Sequence, residues 1–146
     1  SVPALFTKLE RLLQAEPRGE RVVYCDGKAD RSTGKELQVY GDANLLTLAL
    51  INLIRNALQA VEGQEDGIVR VDTCAGATGH LLIIITDNGP GIPPERLSAI
   101  FTPFFSTKSG GSGIGLPISQ RIMQLHGGQL SVSSIPNVRT EFRMEF

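Results

Sequence analysis

The sequence predicts an α/β fold in which a layer of helices packs on one mixed β-sheet. Two observations carry this prediction. Segments with apolar residues at helical spacing are interspersed with segments of strand-like alternation, a mixture typical of one helical layer on one sheet. A length of 146 residues with 41% hydrophobic composition suits a single domain with one core, and no internal repeat or linker divides the chain.

Three principal helices are expected. An apolar stripe at helical spacing predicts the first over residues 2–15. Asp42 is positioned to cap the second, which should run to about Val61. The third is predicted over residues 116–127, after a short helical turn at 95–101. Its predicted apolar face consists of Ile114, Ile118, Ile122 and Leu125.

The strand predictions come from short runs rich in β-branched and apolar residues between turn signals. The run "LLIIITD", residues 81–87, is so uniformly apolar that it predicts a central strand buried on both faces. In chain order, about six strands are expected, at residues 21–26, 36–42, 68–75, 81–87, 129–134 and 139–146.

Composition argues against several classes of function. A net charge of -1, no Trp and only two Tyr leave neither a basic face nor stacking aromatics for nucleic acid. No apolar run approaches the roughly 20 residues of a membrane span, so we expect no direct membrane contact from this segment. Cys25 and Cys74 lie in separate strand-like segments without metal-ligand spacing, which predicts buried thiols in a reducing cytoplasm.

The loop from residue 87 to residue 115 is long for a compact domain, which usually indicates function. Asp87 directly follows the apolar strand, so its carboxylate lies at the edge of the core and suits an exocyclic amine. Gly89 and Gly91 allow a ligand to approach the backbone closely. An ordinary Asp-Asn-Gly turn remains an open alternative.

A glycine cluster, with Gly111, Gly113 and Gly115, precedes the third helix, where free N–H groups and the helix dipole favour phosphate. Lys108 lies just before it and is able to reach a phosphate. The spacing matches neither a Walker P-loop nor a dinucleotide-binding motif. A flexible surface loop with a solvated lysine is the competing interpretation.

Aromatic residues also occur in this loop, at Phe101, Phe104 and Phe105. They are placed to cover a bound ligand. Aromatic side chains at such spacing more often belong to the core, so both interpretations stay open.

Two asparagines, Asn52 and Asn56, are four residues apart in an otherwise apolar helix and therefore share one helix face. A buried amide without partners is costly, so a polar group should meet them. Asparagine oxygen is a plausible ligand for Mg²⁺, which commonly combines a few protein oxygens with water and phosphates. Bonding to neighbouring backbone is the alternative.

Four ordered motifs together resemble the ATP-binding catalytic domain of bacterial sensor histidine kinases, within the superfamily of gyrase-type, MutL-type and chaperone-type ATPases. The resemblance covers essentially the whole chain and implies a Bergerat-type ATP-binding fold with a mainly antiparallel sheet. The motifs are "NLIRNALQA", "DNGPGI", "IFTPFFSTK" and "GSGIGLPIS", followed by "HGGQLSVSS" and "RTEF", which look like the closing strands.

The resemblance implies ATP and Mg²⁺ as cofactors and assigns roles to single residues. Asn56 would coordinate Mg²⁺, Asn52 would contribute from the same face, Asp87 would accept the adenine amine, and Lys108 would approach the phosphates. The base pocket, the lid and the start of the phosphate-binding helix would include Gly89, Gly91, Ile92, Phe101, Gly111, Gly113, Gly115, Leu116 and Thr140.

The residue four positions before Asn56 separates kinases from hydrolases in this superfamily, because gyrase-type and chaperone-type members carry a water-activating glutamate there. In this sequence the position is Asn52, whose amide has no useful basicity. Phosphoryl transfer depends chiefly on positioning and charge neutralisation. The resemblance therefore favours phosphate donation over hydrolysis.

A phosphoacceptor histidine is the missing part. Neither His80 nor His126 has the surroundings of the family's acceptor helix. The resemblance implies a histidine-bearing dimerisation domain, upstream in a parent chain, and through it a response regulator. This piece alone is expected to bind ATP and to phosphorylate nothing on itself. The domain is expected in the cytoplasm, whether or not the parent is anchored in a membrane. A non-catalytic nucleotide-binding regulatory module and a protein-serine kinase are the alternatives.

The sequence departs from the family pattern at three places, one of which is the short lid between Lys108 and Gly111. Gln59 and Ala60 stand where many relatives have Lys and an aromatic residue, which shifts phosphate neutralisation towards Lys108 and the helix dipole. Asn137 and Arg139 stand where glycines are usual, which predicts an altered final turn before Thr140.

Overall fold

A computed structural model describes residues 1–25, 35–76, 79–105 and 113–146 of the chain. Its three longer helices lie where the apolar periodicity predicts them, because each has an apolar face to bury. They are α1, Val2–Leu13; α2, Ala43–Ala60; the single turn α3, Pro94–Leu97; and α4, Gly115–Leu125. A short 3₁₀ turn at Gly19–Arg21, which was not predicted, leads into the first strand.

The described strands form one five-stranded mixed sheet in the order β1-β2-β3-β5-β4. β1 pairs with β2 in parallel, and the other three pairings are antiparallel. The predicted fold class, a layer of helices on one mixed and mainly antiparallel sheet, is confirmed. The strands are β1, Val22–Cys25; β2, Val69–Ala75; β3, Leu81–Asp87; β4, Gln129–Ile135; and β5, Arg139–Glu145.

The prediction of a strand at residues 36–42 is wrong. The segment follows an irregular path with only an isolated bridge at Glu36. The alternation of apolar and polar residues in this segment reflects packing against the core. Leu37 is buried, and its carbonyl accepts a hydrogen bond from the Val2 N–H at 3.1 Å. A single buried side chain and one backbone bond hold the segment against α1 without a ladder of strand hydrogen bonds.

β3 is central in the sheet, as predicted, but it is fully buried on one face only. Ile83 and Ile85 point into the core with the helices, whereas Leu82 and Ile84 on the opposite face are half-buried. Among the described residues the helical layer covers one side of the sheet, and the second apolar row of β3 lies on the other side.

The apolar face predicted for α4 is rotated from the face that packs. Ile122 is buried, but Leu125 is 63% exposed, and Ser119 and Met123 are buried instead. Ser119 fits because its hydroxyl donates to the Gly115 carbonyl at 2.8 Å, and its small side chain lies against the Ala49 backbone of α2. Small residues at this contact let α2 and α4 approach closely.

The prediction that both cysteines are buried is also wrong. Cys74 is exposed on β2, and Cys25 is half-buried at the end of β1, with a guanidinium N–H of Arg70 3.2 Å from its sulfur. Both side chains lie on the sheet face opposite the described helices. In the described ranges, no helix is both long and apolar enough to cross a membrane.

Asp42 caps α2 as predicted, with its carboxylate accepting the backbone N–H groups of Leu45 at 3.0 Å and Asn44 at 2.8 Å. These two bonds, that from Leu45 first, lower the pKa of Asp42 below its ordinary value.

We expect Asp42→Ala to lower the thermal midpoint by several degrees, because two N–H groups lose their acceptor. The stabilisation is present above about pH 4 and is lost as the pH falls through the lowered pKa, since protonation weakens the acceptor. Thermal unfolding at pH 7 and pH 3 measures this. Asp42→Asn keeps an acceptor and should lose less. Equal midpoints for wild type and Asp42→Ala at pH 7 would contradict the capping role.

Candidate functional site

Asp87 ends β3 inside the core, with only 2% of its surface exposed. One carboxylate oxygen accepts the Gly89 N–H at 2.9 Å. In the antiparallel register of β3 and β5, Asp87 lies directly opposite Thr140, which is 4% exposed. Opposed residues on one face of a sheet have Cβ atoms about 5 Å apart. The structure thus brings two predicted site residues together as a pair of buried oxygen-bearing side chains.

The loop after Asp87 passes very close to other parts of the backbone. A Cβ atom on Gly89 would lie 2.8 Å from the Ala60 carbonyl oxygen at the end of α2. Gly91 has φ +78°, and a Cβ there would lie 2.9 Å from the Ile135 carbonyl oxygen. Glycine is therefore required by space at the first position and by both space and backbone conformation at the second.

Ser134 on β4 is a site residue that sequence reasoning missed. Its hydroxyl oxygen accepts the Ile92 N–H at 2.8 Å, lies 3.1 Å from the Thr140 hydroxyl, and is 3.1 Å from the Arg139 carbonyl, to which it is able to donate. One side chain thus connects the loop after β3 to the β4–β5 hairpin. The sequence did contain a clue to this residue. Side chains alternate between the two faces of a strand, and Ser134 is a polar residue at one of the positions of β4 that face the core.

Asn88 is a second residue that was missed, and it fixes the other side of the same loop. Its side-chain oxygen accepts the Ile68 N–H at 2.8 Å, and its amide donates to the Asp66 carbonyl at 2.9 Å. The Gln64 amide donates to the Asn88 carbonyl at 2.9 Å. These bonds attach the end of β3 to the loop that follows α2.

Asn137 lies in the final turn, at a position where the resemblance implies a glycine. Asn137 has φ +61°, the left-handed conformation that asparagine tolerates better than most residues. Its N–H donates to the Pro90 carbonyl at 2.7 Å, and the Val138 N–H closes the turn onto Ile135 at 3.0 Å. These two bonds hold the turn against the loop that follows β3 and close it on itself.

Asn52 and Asn56 lie half-buried on one face of α2, as their spacing predicts. The Asn52 amide lies 3.5 Å from the Gly115 carbonyl at the start of α4. Ala60 lies further along this face of α2 and contacts Gly89. It is about 12 Å from Asn52 along the helix axis, because each residue of a helix adds about 1.5 Å. α2 therefore connects the start of α4 to the Asp87 end of the site.

The start of α4 is the second end of the site. No side chain among the described residues caps its first turn. Two of the predicted phosphate-binding residues, Lys108 and Gly111, lie outside the described residues. Gly113 is described, and its carbonyl accepts the Phe104 N–H at 2.9 Å.

The aromatic residues and the apolar site residues divide between core and surface. Phe101 and Phe105 are half-buried and pack against the core, and Phe104 is 81% exposed. Ile92 and Leu116 also pack against the core from the two ends of the site. The core interpretation of Phe101 and Phe105 fits this packing, whereas Phe104 projects outwards.

The described side chains suit a metal ion that a bound triphosphate, and not the protein, would coordinate for the most part. Across the four described ranges, no group of three or more His, Cys, Asp or Glu residues is placed to hold a metal ion. Asn52 and Asn56 carry amide oxygens, and Mg²⁺ commonly takes few protein oxygens and completes its coordination with phosphates and water. The donor set therefore fits Mg²⁺ in company with a triphosphate and does not form a cage for the ion alone.

Comparison with known proteins identifies similar sequences. Residues 41–146 match the family described as histidine kinase-, DNA gyrase B- and HSP90-like ATPases. The sensor histidine kinase ZraS of Salmonella typhimurium is 42% identical over 98 residues, which cover 67% of this chain and 21% of ZraS. The histidine kinase/phosphatase NtrB of Vibrio alginolyticus is 34% identical over 145 residues, covering 93% of this chain and 40% of NtrB. The chain thus spans well under half the length of these relatives.

Solved structures of histidine kinases are similar to nearly the whole chain. The catalytic domain of the histidine kinase ThkA superposes with a TM-score of 0.77 at 28% identity, covering 99% of this chain and 90% of that one. A mycobacterial sensor histidine kinase, MprB, gives a TM-score of 0.74 at 28% identity, with coverage of 97% and 93%. The fold described above is therefore that of the ThkA catalytic domain.

Proposed function

Because the chain belongs to the family of histidine kinase-, DNA gyrase B- and HSP90-like ATPases, we propose that it binds Mg·ATP and donates the γ-phosphoryl group to a histidine on a partner domain. The buried pair of Asp87 and Thr140 is the observation that carries this proposal. A carboxylate at the edge of the core accepts hydrogen bonds strongly, because little water competes for it. It suits the exocyclic amine of adenine.

The base would lie against the backbone of the loop that follows β3. Gly89 and Gly91 let the backbone of the loop pass within contact distance of α2 and of the β4–β5 turn, which shapes this end of the pocket. Ile92 packs on the core beside it and would supply apolar contact to the ring. Thr140 lies across from Asp87 and would present its hydroxyl to the same edge of the base.

The phosphates would extend along α2 towards α4. Asn56 and Asn52 lie on the face of α2 that runs between the two ends of the site. Gly115 begins α4, and the free N–H groups of the first turn of α4 would bind phosphate at this second end. We assign the Mg²⁺ ligand to Asn56, and phosphate contacts to Lys108 with the Gly111–Gly113 segment. Mg²⁺, when bound, would neutralise charge on the phosphates.

The amide at Asn52 favours transfer over hydrolysis. Water attack on the γ-phosphorus is helped by a base, and an amide provides none at this position. The neutral imidazole of an acceptor histidine needs no such help, because its ring nitrogen is itself a nucleophile. In the proposed step a P–N bond forms to the imidazole, the bond from the γ-phosphorus to the β–γ bridging oxygen breaks, and ADP leaves.

The partner proposed for this step is a histidine-bearing dimerisation domain of the parent protein, from which a response regulator would take the phosphoryl group. The similarity to ZraS and NtrB, named as sensor and sensory histidine kinases, supports this partner. A regulatory nucleotide-binding module and a protein-serine kinase are the competing functions, and both predict ATP binding too.

A phosphotransfer assay separates these functions. The domain is mixed with γ-labelled Mg·ATP and the histidine-bearing segment of the parent, and the label on that segment is tested for stability. We expect an acid-labile, base-stable phosphoryl group that is missing when the acceptor histidine is replaced by glutamine. ATP binding without transfer would favour the regulatory module, and an acid-stable label would favour a serine kinase.

The domain alone should release phosphate very slowly, because Asn52 cannot activate water. We expect turnover at least about 100-fold below the 1 s⁻¹ that marks the lower end of ordinary enzyme rates. Steady-state phosphate release with saturating Mg·ATP measures it. Rapid release from the isolated domain would contradict the role given to Asn52.

A further inference from the structure

The hydrogen bonds around Ser134 favour one direction for the bond that it shares with Thr140. A serine hydroxyl has one proton to donate and two lone pairs to accept with. The Ile92 N–H, at 2.8 Å, can only donate, and the Arg139 carbonyl, at 3.1 Å, can only accept. If Ser134 gives its proton to Arg139, the contact of 3.1 Å with Thr140 is made by the threonine proton.

The opposite direction is less favourable. If Ser134 donated to Thr140, its proton would no longer reach the Arg139 carbonyl, and one of the three contacts would be lost. The contacts of Ser134 with Ile92 and Thr140 are partly buried and that with the Arg139 carbonyl is exposed, and the protein makes all three at once only when Thr140 is the donor. The arrangement that satisfies all three contacts leaves Thr140 with lone pairs but no proton for the pocket.

We propose that Ser134 is a specificity-determining positioning residue, which makes Thr140 an acceptor and thereby selects a purine with an amino group over one with an oxo group. The proposal rests on the function given above, since it needs the base to lie between Asp87 and Thr140. With Thr140 fixed in this way, both side chains at the base end accept hydrogen bonds. An amino group satisfies such acceptors, and an oxo group is repelled by them.

Ser134→Ala should weaken this selection. The Thr140 proton is then free to turn into the pocket and to donate to an oxo group. We expect the ratio of affinities for ATP over inosine triphosphate to fall about fivefold, the value of one ordinary hydrogen bond. Calorimetric titration of both nucleotides with Mg²⁺ gives the ratio. Ser134→Thr keeps the hydroxyl and should keep the wild-type ratio.

A merely structural role for Ser134 predicts a different result. The loop after β3 would lose its bond to the Ile92 N–H, which weakens both nucleotides alike, and the Asn137 bond to Pro90 would still hold the loop. In a Thr140→Val background the Thr140 hydroxyl is absent. Ser134→Ala should then leave the ratio of affinities for ATP over inosine triphosphate unchanged. The double-mutant cycle therefore isolates the effect that passes through Thr140.

An unchanged ratio in Ser134→Ala, or an equal change with and without the Thr140 hydroxyl, would overturn the inference and leave the proposed function standing. Failure of the wild-type domain to bind ATP would overturn both. A lower ratio that depends on Thr140 supports the inference.

Discussion

Asp87→Asn is expected to weaken ATP binding about 100-fold while the domain stays folded. The substitution keeps an oxygen for the Gly89 N–H but places a donor amide where the adenine amine needs an acceptor. Hydrogen bonds to charged groups are worth about 1.5–3 kcal/mol, and each 1.4 kcal/mol is tenfold in affinity. Calorimetric titration with Mg·ATP measures the loss. Inosine triphosphate, which presents an oxo group, should lose much less.

A matched control is Asp72→Asn, which makes the same change of charge on the neighbouring strand. Asp72 lies opposite Ile84 on the sheet face that the helices do not cover. ATP affinity should be unaffected there. If Asp87→Asn binds ATP like wild type, Asp87 does not contact the base. Circular dichroism and thermal unfolding of both variants separate lost binding from lost structure.

Asn56→Ala is expected to abolish most of the Mg²⁺ dependence of ATP binding. In the proposed site the amide oxygen of Asn56 is the protein's ligand to the ion, so its removal leaves Mg²⁺ bound to the nucleotide alone. We expect Mg²⁺ to raise the wild-type affinity for ATP about tenfold and that of Asn56→Ala less than about twofold. Titrations with and without Mg²⁺ give both ratios.

Asn44→Ala tests whether the change is specific to position. Asn44 lies on the same helix but in its first turn, exposed and bonded to the Lys8 ammonium at 2.6 Å. Its removal should leave the Mg²⁺ dependence as in wild type. A normal rise in ATP affinity with Mg²⁺ in Asn56→Ala would remove Asn56 from the metal site.

Much of the fold could be predicted from the sequence because helix and strand periods are local properties. The spacing of apolar residues located α1 and α2, and the uniform run before Asp87 located the central strand β3. The errors occurred where the outcome depended on packing. The segment at 36–42 alternates like a strand but has no ladder in which to pair, and the buried face of α4 is set by the small residue Ser119 against α2.

The same division holds for the site. The side of α2 that carries Asn52 and Asn56, and the position of Asp87 at a strand end, follow from residues close together in the chain. Ser134 and Asn88 were missed because their partners come from distant segments. Asn88 bonds to the loop after α2, and Ser134 bonds to Ile92 across the sheet edge.

By itself, the sequence determined the longer helices, five of the predicted strands and the order of the motifs, since these depend on the side chains of near neighbours. Only the tertiary structure decided that Thr140 lies opposite Asp87, that Asn137 takes a left-handed backbone conformation in the final turn, and that one serine joins the loop to the hairpin. These features depend on strand register and on hydrogen bonds between distant segments. A short range of residues contains only one partner of each such contact.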